Sequence, residues 1–344
     1  MSQRALIARL AKQNGLVIVS PQALDLRRRR CGKGFAFVTS SGVFLRDTAD
    51  IARLRSLAVP PAYVNVRYAS DPAAHLQAVG EDAAGRLQYR YHPKWAEVRE
   101  ALKARRLNRL ATALPGIRRA LGRCLASEVV DLRFAAASVI ELVSLTAIRA
   151  GGEEYLRDHG TRGATTLLKS NVRLGDDGKQ VTLTFKAKGG NPFSRDVSSK
   201  RLHAAVTRLL TLPGRRLFQV AGADGVVRPV RASDVNAFLR NTTGRRISLK
   251  DFRTLIASAA ALRVLASTSP AETAAKRRRQ IRDTVVEIAG KLANTPTVCR
   301  TSYVHDAVIA AFEAGALKRV AKRKWRSPVA HADALARVVA KHAG

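Results

Sequence analysis

The sequence of 344 residues carries 61 Lys and Arg against 26 Asp and Glu, a formal net charge of +35 at pH 7. A positive excess of this size goes far beyond what solubility requires, so it predicts a polyanionic partner. The hydrophobic content of 46% excludes a disordered basic tail, and the aromatic content of 5% argues against a single-strand stacking platform.

The cysteines and the apolar runs limit the compartment. Cys31, Cys124 and Cys299 lie far apart without a CxxC pair, so the sequence predicts neither a disulfide framework nor a zinc site. No apolar run approaches the about 20 residues that a membrane-spanning helix needs. The stretch at 15–19 is too short for a secretory signal. We therefore expect a cytoplasmic protein, with an organelle transit peptide as the alternative for the basic segment before Asp25.

The segment from Gly34 to Tyr91 predicts a small antiparallel sheet. FAFVTSSGVFL contains two β-rich runs joined by a Ser-Ser-Gly turn. PPAYVNVRYAS and RLQYRY are short runs with the alternating pattern of strands, and Pro, Asp or Gly residues bound them. The arginine run at 27–30 is interpreted as a solvated basic face or a phosphate contact. These signals predict a β-rich N-terminal domain over residues 1–92, in line with a length that suggests about two domains.

After Pro93 the apolar residues recur at helical spacing, which predicts a mainly helical domain over residues 93–344. Pro115 is expected near the opening of a helix, where its missing N–H is harmless. A β-hairpin insertion is predicted near 165–198, because β-rich runs flank Asp177-Gly178 and a further strand follows at 195–197. The predicted fold class is α+β.

The acidic residues do not predict a metal-dependent nuclease. Such enzymes cluster carboxylates, whereas Glu153-Glu154 and Asp176-Asp177 have the positions of a helix end and a hairpin turn. No GxxxxGK[ST] phosphate loop is present to indicate an ATP-driven motor. Phosphoryl transfer without a metal instead requires a nucleophile, cationic donors for the phosphate oxygens, and an acid for the leaving oxygen.

Basic residues in three segments are candidates for such a site, although each also has a structural explanation. Arg149 follows an apolar helix, whose dipole it would complement. Lys186 and Lys188 alternate onto one face of a hairpin strand, where lysines commonly protect an edge. Arg253 lies near the start of a helix, where a cation is unfavourable unless an anion is near.

Tyr303 is the candidate nucleophile near the end of the sequence, which has only six tyrosines. It follows Asn294-Thr295-Pro296, a helix-entry signature. A single tyrosine is more often a packed ring with one hydrogen bond than a nucleophile. The residue type alone therefore leaves its role open.

The order of these motifs resembles that of the bacterial, poxvirus-like type IB DNA topoisomerases. The resemblance covers roughly residues 33–308, and its motifs occur in the same order as in that family. In chain order they are GFAFVTSSGVFLRD, VPPAYVNV, HLQAVGEDAAGRLQYRYHPKW, LTAIRAGGEEY, FKAKGG, LKDFRT and NTPTVCRTSYVH.

The resemblance implies a β-rich lobe and a larger, mainly helical catalytic lobe that close as a clamp around duplex DNA. On the matching positions, Tyr303 would attack a backbone phosphate to form a 3′-phosphotyrosyl link and a free 5′-hydroxyl. Arg149 and Arg253 would neutralise the charge on the non-bridging oxygens. Lys188 would protonate the departing 5′-oxygen, assisted by Lys250.

The same resemblance implies DNA contacts outside the reaction centre. Gln88, Tyr89 and Tyr91 would belong to the DNA-contacting face of the small lobe, and Tyr155 to that of the large lobe. It further implies a monomeric bacterial enzyme associated with the nucleoid, without a metal, a small-molecule cofactor or ATP.

Two positions depart from the family pattern. Poxviral members have a histidine nine residues before the nucleophile, where this sequence has Asn294. An amide can donate a hydrogen bond to a phosphate oxygen but cannot carry charge. Ala187 replaces a frequent glycine, which leaves a choice between Lys186 and Lys188; we prefer Lys188 because Gly189-Gly190 follows it.

Two alternatives stay open at the level of sequence. Tyrosine recombinases share the Arg, Lys, Arg, Tyr arrangement, but their pattern has a histidine where this sequence has Lys250. A non-catalytic basic DNA-binding protein would explain the charge equally well. The basic extension after Val308 is expected to act as a docking helix anchored by Trp325 or as a DNA-binding tail.

Overall fold

A computed structural model describes residues 2–222, 224–321 and 328–342. The chain divides into two compact units, Met1–Leu102 and Lys103–Gly344. The first contains a small antiparallel sheet and the second is mainly helical, so the α+β prediction is confirmed.

The first unit is built on an antiparallel sheet with the strand order β2-β1-β3-β4-β5. Two helices, α1 and α2, precede and interrupt the sheet in the sequence. On one side of the sheet, the ring of Tyr68 packs edge-on against Phe37 at a centroid distance of 5.3 Å. The bounds are α1 (Gln3–Gln13), β1 (Leu26–Cys31), β2 (Gly34–Thr39), α2 (Thr48–Ser56), β3 (Val64–Tyr68), β4 (Leu76–Glu81) and β5 (Leu87–Tyr91).

The arginine run at 27–30 belongs to strand β1, an element that its composition alone did not predict. Arg28 explains how a strand of arginines can pack. Its guanidinium donates hydrogen bonds to carbonyls of the 59–63 loop, including that of Pro60 at 2.9 Å. The guanidinium carbon of Arg28 lies 4.3 Å from the centre of the Phe35 ring. Arg28 thereby supplies donors for carbonyls of a loop that lies outside the strands.

The second β-rich run of FAFVTSSGVFL does not form a strand. It contributes only an isolated bridge between Val38 and Phe44. The Phe44 ring is 49% exposed, so no buried face fixes the register of that run.

The second unit contains most of the helices and two small sheets. Its antiparallel sheet has the order β6-β7-β8, and β9 pairs with β10. The bounds are α3 (Trp95–Ala126), which begins in the first unit, α4 (Leu132–Thr146), α5 (Glu153–His159), β6 (Val172–Leu174), β7 (Gln180–Lys186), β8 (Pro192–Ser198), α6 (Lys200–Thr211), β9 (Gln219–Ala221), β10 (Val227–Pro229), α7 (Ala232–Thr243), α8 (Leu249–Ala266), α9 (Ala274–Lys291), α10 (Pro296–Ser302), α11 (Asp306–Glu313), α12 (Lys318–Ala321) and α13 (Pro328–His342).

Helices α4 and α8 form the centre of this unit. Both are buried on nearly all sides, because small and aliphatic residues occupy almost every position of α4 and the middle of α8. Phe134, Ile140 and Phe252 are among their most deeply buried side chains. Arg149 lies in the loop after α4, and Arg253 lies near the start of α8. Both candidate residues are therefore attached to the central helices.

The prediction that Pro115 lies near a helix opening is wrong, because Pro115 lies inside α3. A proline there removes one helical hydrogen bond and crowds the preceding turn. Packing outweighs this cost, since α3 buries a stripe of aliphatic side chains on both sides of the proline. The stripe includes Leu107, Leu110, Leu114, Ile117 and Leu121.

The predicted hairpin around Asp177-Gly178 is confirmed as the β6-β7 turn. Gly178 has a φ of +66°, and the Asp177 carboxylate accepts hydrogen bonds from the N–H groups of Lys179 and Gln180. The further strand predicted at 195–197 lies inside β8.

The three cysteines are free. None of the helices formed by the described residues is both long and apolar enough to cross a membrane. The anchoring role predicted for Trp325 falls outside the described residues.

Candidate active site

Four of the predicted site residues form one connected group in the second unit. The guanidinium carbon of Arg253 lies 4.9 Å from the centre of the Tyr303 ring. Arg253 also donates a hydrogen bond to the Leu292 carbonyl at 3.3 Å. Arg149 donates to the next carbonyl, that of Ala293, at 3.1 Å, and to Oδ1 of Asn294. The segment between α9 and α10 therefore connects Arg149 with Arg253, and Arg253 contacts the ring of Tyr303.

The end of α9 presents three successive carbonyls to three different arginines. Those of Lys291, Leu292 and Ala293 accept hydrogen bonds from Arg195, Arg253 and Arg149, respectively. The last carbonyls of a helix lack intrahelical partners and carry partial negative charge, which favours cations. The cluster of guanidinium groups is thus balanced by backbone dipoles.

The end of α4 is held by two of the same arginines. The Thr146 carbonyl accepts from Arg195 at 2.6 Å, and the Ala147 carbonyl accepts from Arg253. A cation near the start of α8 is unfavourable with the dipole of that helix. The guanidinium of Arg253 offsets this cost because it reaches the negative C-terminal ends of α4 and α9. Arg195 and Arg253 each join α4 to α9.

Arg195 lies on β8, and nothing in its sequence context predicted this role. Burial lowers its pKa, as expected for a guanidinium withdrawn from water. In a strand whose residues alternate between buried and exposed, an arginine is expected on the exposed face, so its residue type gives no sign of a structural role. Only its packing against the ends of α4 and α9 distinguishes it.

We predict that Arg195→Met lowers the free energy of unfolding by about 2–4 kcal/mol, because two backbone carbonyls lose a charged donor. Urea unfolding measures this loss. Arg173→Met is the matched control, since Arg173 is exposed on β6 of the same sheet. The control is expected to change stability by about 0.5 kcal/mol or less. Equal losses in the two variants would contradict a bridging role for Arg195.

The backbone around Arg149 is fixed by a close approach to residues 163–165. The Arg149 carbonyl accepts from the Ala164 N–H at 2.8 Å, and the Ala150 carbonyl accepts from Thr165 at 2.8 Å. A Cβ atom on Gly163 would lie 2.5 Å from the Arg149 carbonyl oxygen, so only glycine fits there. This contact sets the direction in which the Arg149 side chain leaves the core.

Burial and like charge shape the electrostatics of the group. Arg253 is only 3% exposed. Burial lowers its pKa and the charge of Arg149 acts in the same direction, whereas Tyr303 opposes them. Burial also raises the pKa of Cys299, one turn before Tyr303, to about 11. Its thiol stays protonated at neutral pH, so it does not compete with the tyrosine as a nucleophile.

Tyr303 ends helix α10. The helix begins as predicted, with Thr295 as its N-cap accepting from the Val298 N–H and Pro296 at its first position. Tyr303 has φ −124° and ψ −36°, outside regular helix geometry, and its N–H donates to the Cys299 carbonyl at 3.0 Å. Its side chain is 9% exposed and packs at the margin of the core.

Two buried donors of this connected group have no acceptor within the described residues. They are Nε of Arg253 and Nδ2 of Asn294. An unsatisfied buried donor costs about 1–3 kcal/mol, and folded proteins rarely contain one without a reason. Both atoms belong to side chains already held by other hydrogen bonds.

Lys188 and Tyr155 form a separate pair. Lys188 lies in the β7-β8 turn, where Ala187 is buried and Lys186 and Lys188 are exposed, as strand alternation predicts. The Lys188 ammonium lies 4.9 Å from the centre of the Tyr155 ring. In the described chain, neither residue makes a hydrogen bond or ring contact with the group around Tyr303. Lys250 is exposed on the first turn of α8.

In the first unit, the predicted DNA-contacting residues lie on β5, an edge strand of the sheet. Gln88 donates to the Asp82 carboxylate at 2.9 Å. The rings of Tyr89 and Tyr91 stack at 6.1 Å and are 40% and 42% exposed. Aromatic rings exposed to this extent on an edge strand are available to a partner.

The described residues contain no group of three or more His, Cys, Asp or Glu side chains arranged to hold a metal ion. The anions at the site would instead be met by guanidinium and amide N–H groups. Such donors suit phosphate oxygens, which guanidinium groups can bind in a forked geometry.

Comparisons with known proteins identify relatives for both parts of the chain. Residues 92–328 match the family described as "Eukaryotic DNA topoisomerase I, catalytic core". Residues 34–82 match the family described as "Bacterial DNA topoisomerase IB, N-terminal domain". The chain is also 29% identical over 264 residues to DNA topoisomerase 1B of Acanthamoeba polyphaga mimivirus, an alignment that covers 75% of this chain and 78% of the viral protein.

Proposed function

The chain belongs to the type IB DNA topoisomerases, a family of isomerases that act on DNA, and from this premise we propose a specific reaction for it. It relaxes supercoiled duplex DNA by transient cleavage of one strand, rotation of the strand about its partner, and religation. The reaction needs neither ATP nor a metal ion.

Cleavage exchanges one phosphate ester for another. The phenolic oxygen of Tyr303 attacks the phosphorus and gives its proton to solvent water. A P–O bond forms to the tyrosine as the bond to the 5′-oxygen breaks. Lys188 gives a proton to that leaving oxygen. The 3′-phosphotyrosyl ester keeps roughly the energy of the broken ester, so the 5′-hydroxyl can reverse the step without ATP.

Two unpartnered donors in the group that includes Tyr303 carry this proposal. Nε of Arg253 and Nδ2 of Asn294 lack acceptors within the described residues, although both atoms are buried. A scissile phosphate would supply the missing acceptor oxygens. Stabilisation by donors fixed in advance is usually the largest contribution to such catalysis, because no reorganisation is needed as charge develops.

The residue types match the roles. A guanidinium group suits the neutralisation of non-bridging oxygens but not the role of an acid, and Arg149 and Arg253 are given the former role. Asn294 contributes a neutral donor in place of a charged one. Lys188 can release a proton, and its exposed ammonium, paired with Tyr155 before DNA binds, is accessible to a bound duplex.

The substrate in this proposal is duplex DNA. The net charge of +35 provides non-specific affinity for its backbone, which should fall steeply with salt. Gln88, Tyr89 and Tyr91 contact the duplex from the small unit, and Tyr155 and Lys250 contact it from the large one. We further propose a monomeric enzyme that is associated with the nucleoid. The match to a bacterial N-terminal domain supports the bacterial cytoplasm as its location.

Relaxation of a supercoiled plasmid in the presence of EDTA and without ATP tests the proposal. We expect a ladder of topoisomers that progresses to the relaxed form, because protein side chains supply every group that the reaction needs. Gel electrophoresis of timed samples measures it. Loss of relaxation on chelation would refute the metal-independent mechanism.

The same assay separates the alternatives. A tyrosine recombinase would act only on plasmids that carry paired specific sites and would exchange strands between them. A non-catalytic binding protein would shift the plasmid in native gels but leave its linking number unchanged after the protein is removed. Either outcome would contradict the proposed reaction.

A further inference from the structure

The main chain on both sides of Tyr303 is held by side chains that the reaction itself does not use. Nζ of Lys103, on α3, donates to the carbonyls of Thr301 and Val304, at 3.2 Å in each case. These carbonyls lie two residues before and one residue after Tyr303. The ammonium group therefore binds the main chain both before and after the tyrosine.

Ser258 of α8 holds the same turn from another direction. Its hydroxyl donates to the Tyr303 carbonyl at 2.7 Å and accepts from the His305 N–H at 3.1 Å. The hydroxyl is fully buried. Ser258 shares a helix with Arg253, so one rigid element carries both a hydrogen bond to the Tyr303 backbone and the guanidinium that contacts its ring.

Lys103 occupies an unusual position for a charged residue. It is 9% exposed and lies in register with the stripe of Leu107, Leu110 and Leu114 that α3 buries in the core. Burying an ammonium is costly unless its hydrogen bonds are satisfied. An aliphatic residue would pack there without that cost, so the ammonium has a use that packing does not explain.

The backbone geometry indicates that use. Tyr303 follows the last helical residue of α10 and lies outside regular helix geometry. Its N–H still donates to the Cys299 carbonyl, but its own carbonyl accepts from the Ser258 side chain and not from the next helical turn. An attacking oxygen must be held within about 3–3.5 Å of the phosphorus and in line with the leaving group. A turn that can relax would lose this alignment.

We propose that Lys103 and Ser258 are positioning residues that fix the Tyr303 turn and thereby aim its phenolic oxygen at the scissile phosphate. The inference rests on the proposed role of Tyr303 as the nucleophile. In this proposal, neither side chain contacts the DNA or the reacting atoms. Their effect acts through the backbone carbonyls of Thr301, Tyr303 and Val304.

The test is single-turnover cleavage of a labelled duplex at saturating protein by Lys103→Met and Ser258→Ala. Each variant is expected to form the covalent adduct about 10-fold more slowly or worse, because small displacements of a reacting group are costly. The Kd for the duplex should stay within about twofold, since both side chains are buried away from the phosphate backbone.

Two matched controls separate positioning from general loss of stability. Lys169 also donates to two carbonyls, those of Leu210 and Leu212 at the end of α6, and Ser138 is a buried serine that donates to the Phe134 carbonyl at 2.9 Å. Lys169→Met and Ser138→Ala remove the same groups far along the chain from the tyrosine. We expect cleavage within about threefold of wild type for both, at temperatures well below each variant's Tm.

Conservative variants complete the test. Lys103→Arg retains a donor for two carbonyls and is expected to recover most of the rate lost in Lys103→Met. Cleavage by Lys103→Met within threefold of wild type, or equal slowing by Lys103→Met and Lys169→Met, would refute the positioning role. If the wild-type protein forms no adduct at Tyr303, the proposed function itself fails; if it does and the variants cleave normally, only the positioning role fails.

Discussion

Tyr303→Phe is expected to abolish the covalent protein–DNA adduct while leaving the affinity for duplex DNA within about twofold of wild type. The substitution removes the phenolic oxygen that would form the bond to phosphorus. Burial raises the pKa of Cys299 to about 11, so this neighbouring thiol stays protonated. The Tyr303 ring, packed beneath Arg253, is retained by phenylalanine.

Trapping on labelled duplex with denaturant measures the adduct, and peptide mapping identifies the attached residue. Tyr68→Phe is the matched control, because Tyr68 is a buried tyrosine in the core of the first unit. It is expected to form the adduct at the wild-type rate. Adducts undiminished in Tyr303→Phe would assign the reaction to another residue and overturn the proposed mechanism.

Arg149→Ala and Arg253→Ala are each expected to slow cleavage by at least about 10²-fold, the effect typical of losing one transition-state donor. The two variants should differ in stability. Arg253 is almost fully buried and joins the Ala147 and Leu292 carbonyls, so its removal leaves acceptors unsatisfied inside the core. Arg149 is half-buried, and we expect its variant to lose less stability for a similar loss of rate.

Single-turnover cleavage at saturating protein, with a thermal melt of each variant, measures both quantities. Arg208→Ala is the control, since Arg208 also donates to two carbonyls, those of Ser127 and Glu128, at 2.6 and 2.5 Å. It should lose stability but retain cleavage within about threefold. Losses below threefold in both Arg149→Ala and Arg253→Ala would contradict their assignment to the phosphate.

The arrangement of arginines has a physical consequence for the free protein. Three guanidinium groups repel one another, yet each donates to a carbonyl at the end of α9, and two of them also donate at the end of α4. Backbone dipoles therefore replace the anion before DNA is bound. The same hydrogen bonds stabilise the core and hold the guanidinium groups in place before DNA binds.

The sequence predicted the features that depend on short-range rules. Asp177-Gly178 indicated the β6-β7 hairpin, and Thr295-Pro296 indicated the start of α10, because turns and caps are set by a few neighbouring residues. The helical spacing after Pro93 predicted a mainly helical second unit. The order of motifs indicated the family, which the comparisons confirm.

Local rules failed where long-range packing prevailed. Pro115 lies inside α3 because the aliphatic stripe on either side of it is buried. The arginine run at 27–30 exposes three of its side chains, as a solvated basic face does, but it also forms a strand that its composition did not predict. Lys103 offered one signal, a lysine in register with an apolar stripe. Ser258 and Arg195 offered none that distinguishes them from ordinary helix and strand residues.

By itself, the sequence determined the charge that requires a polyanion, the α+β class, and the identities of the tyrosine, arginines and lysine that resemble a known site. Only the tertiary structure decided which of them meet. Arg253 and Ala147 are 106 positions apart, Arg149 and Ala293 are 144, and Lys103 and Thr301 are 198. Residue spacing reports contacts within a few helical turns, whereas hydrogen bonds between a side chain and a distant carbonyl depend on how helix ends converge once the core has packed.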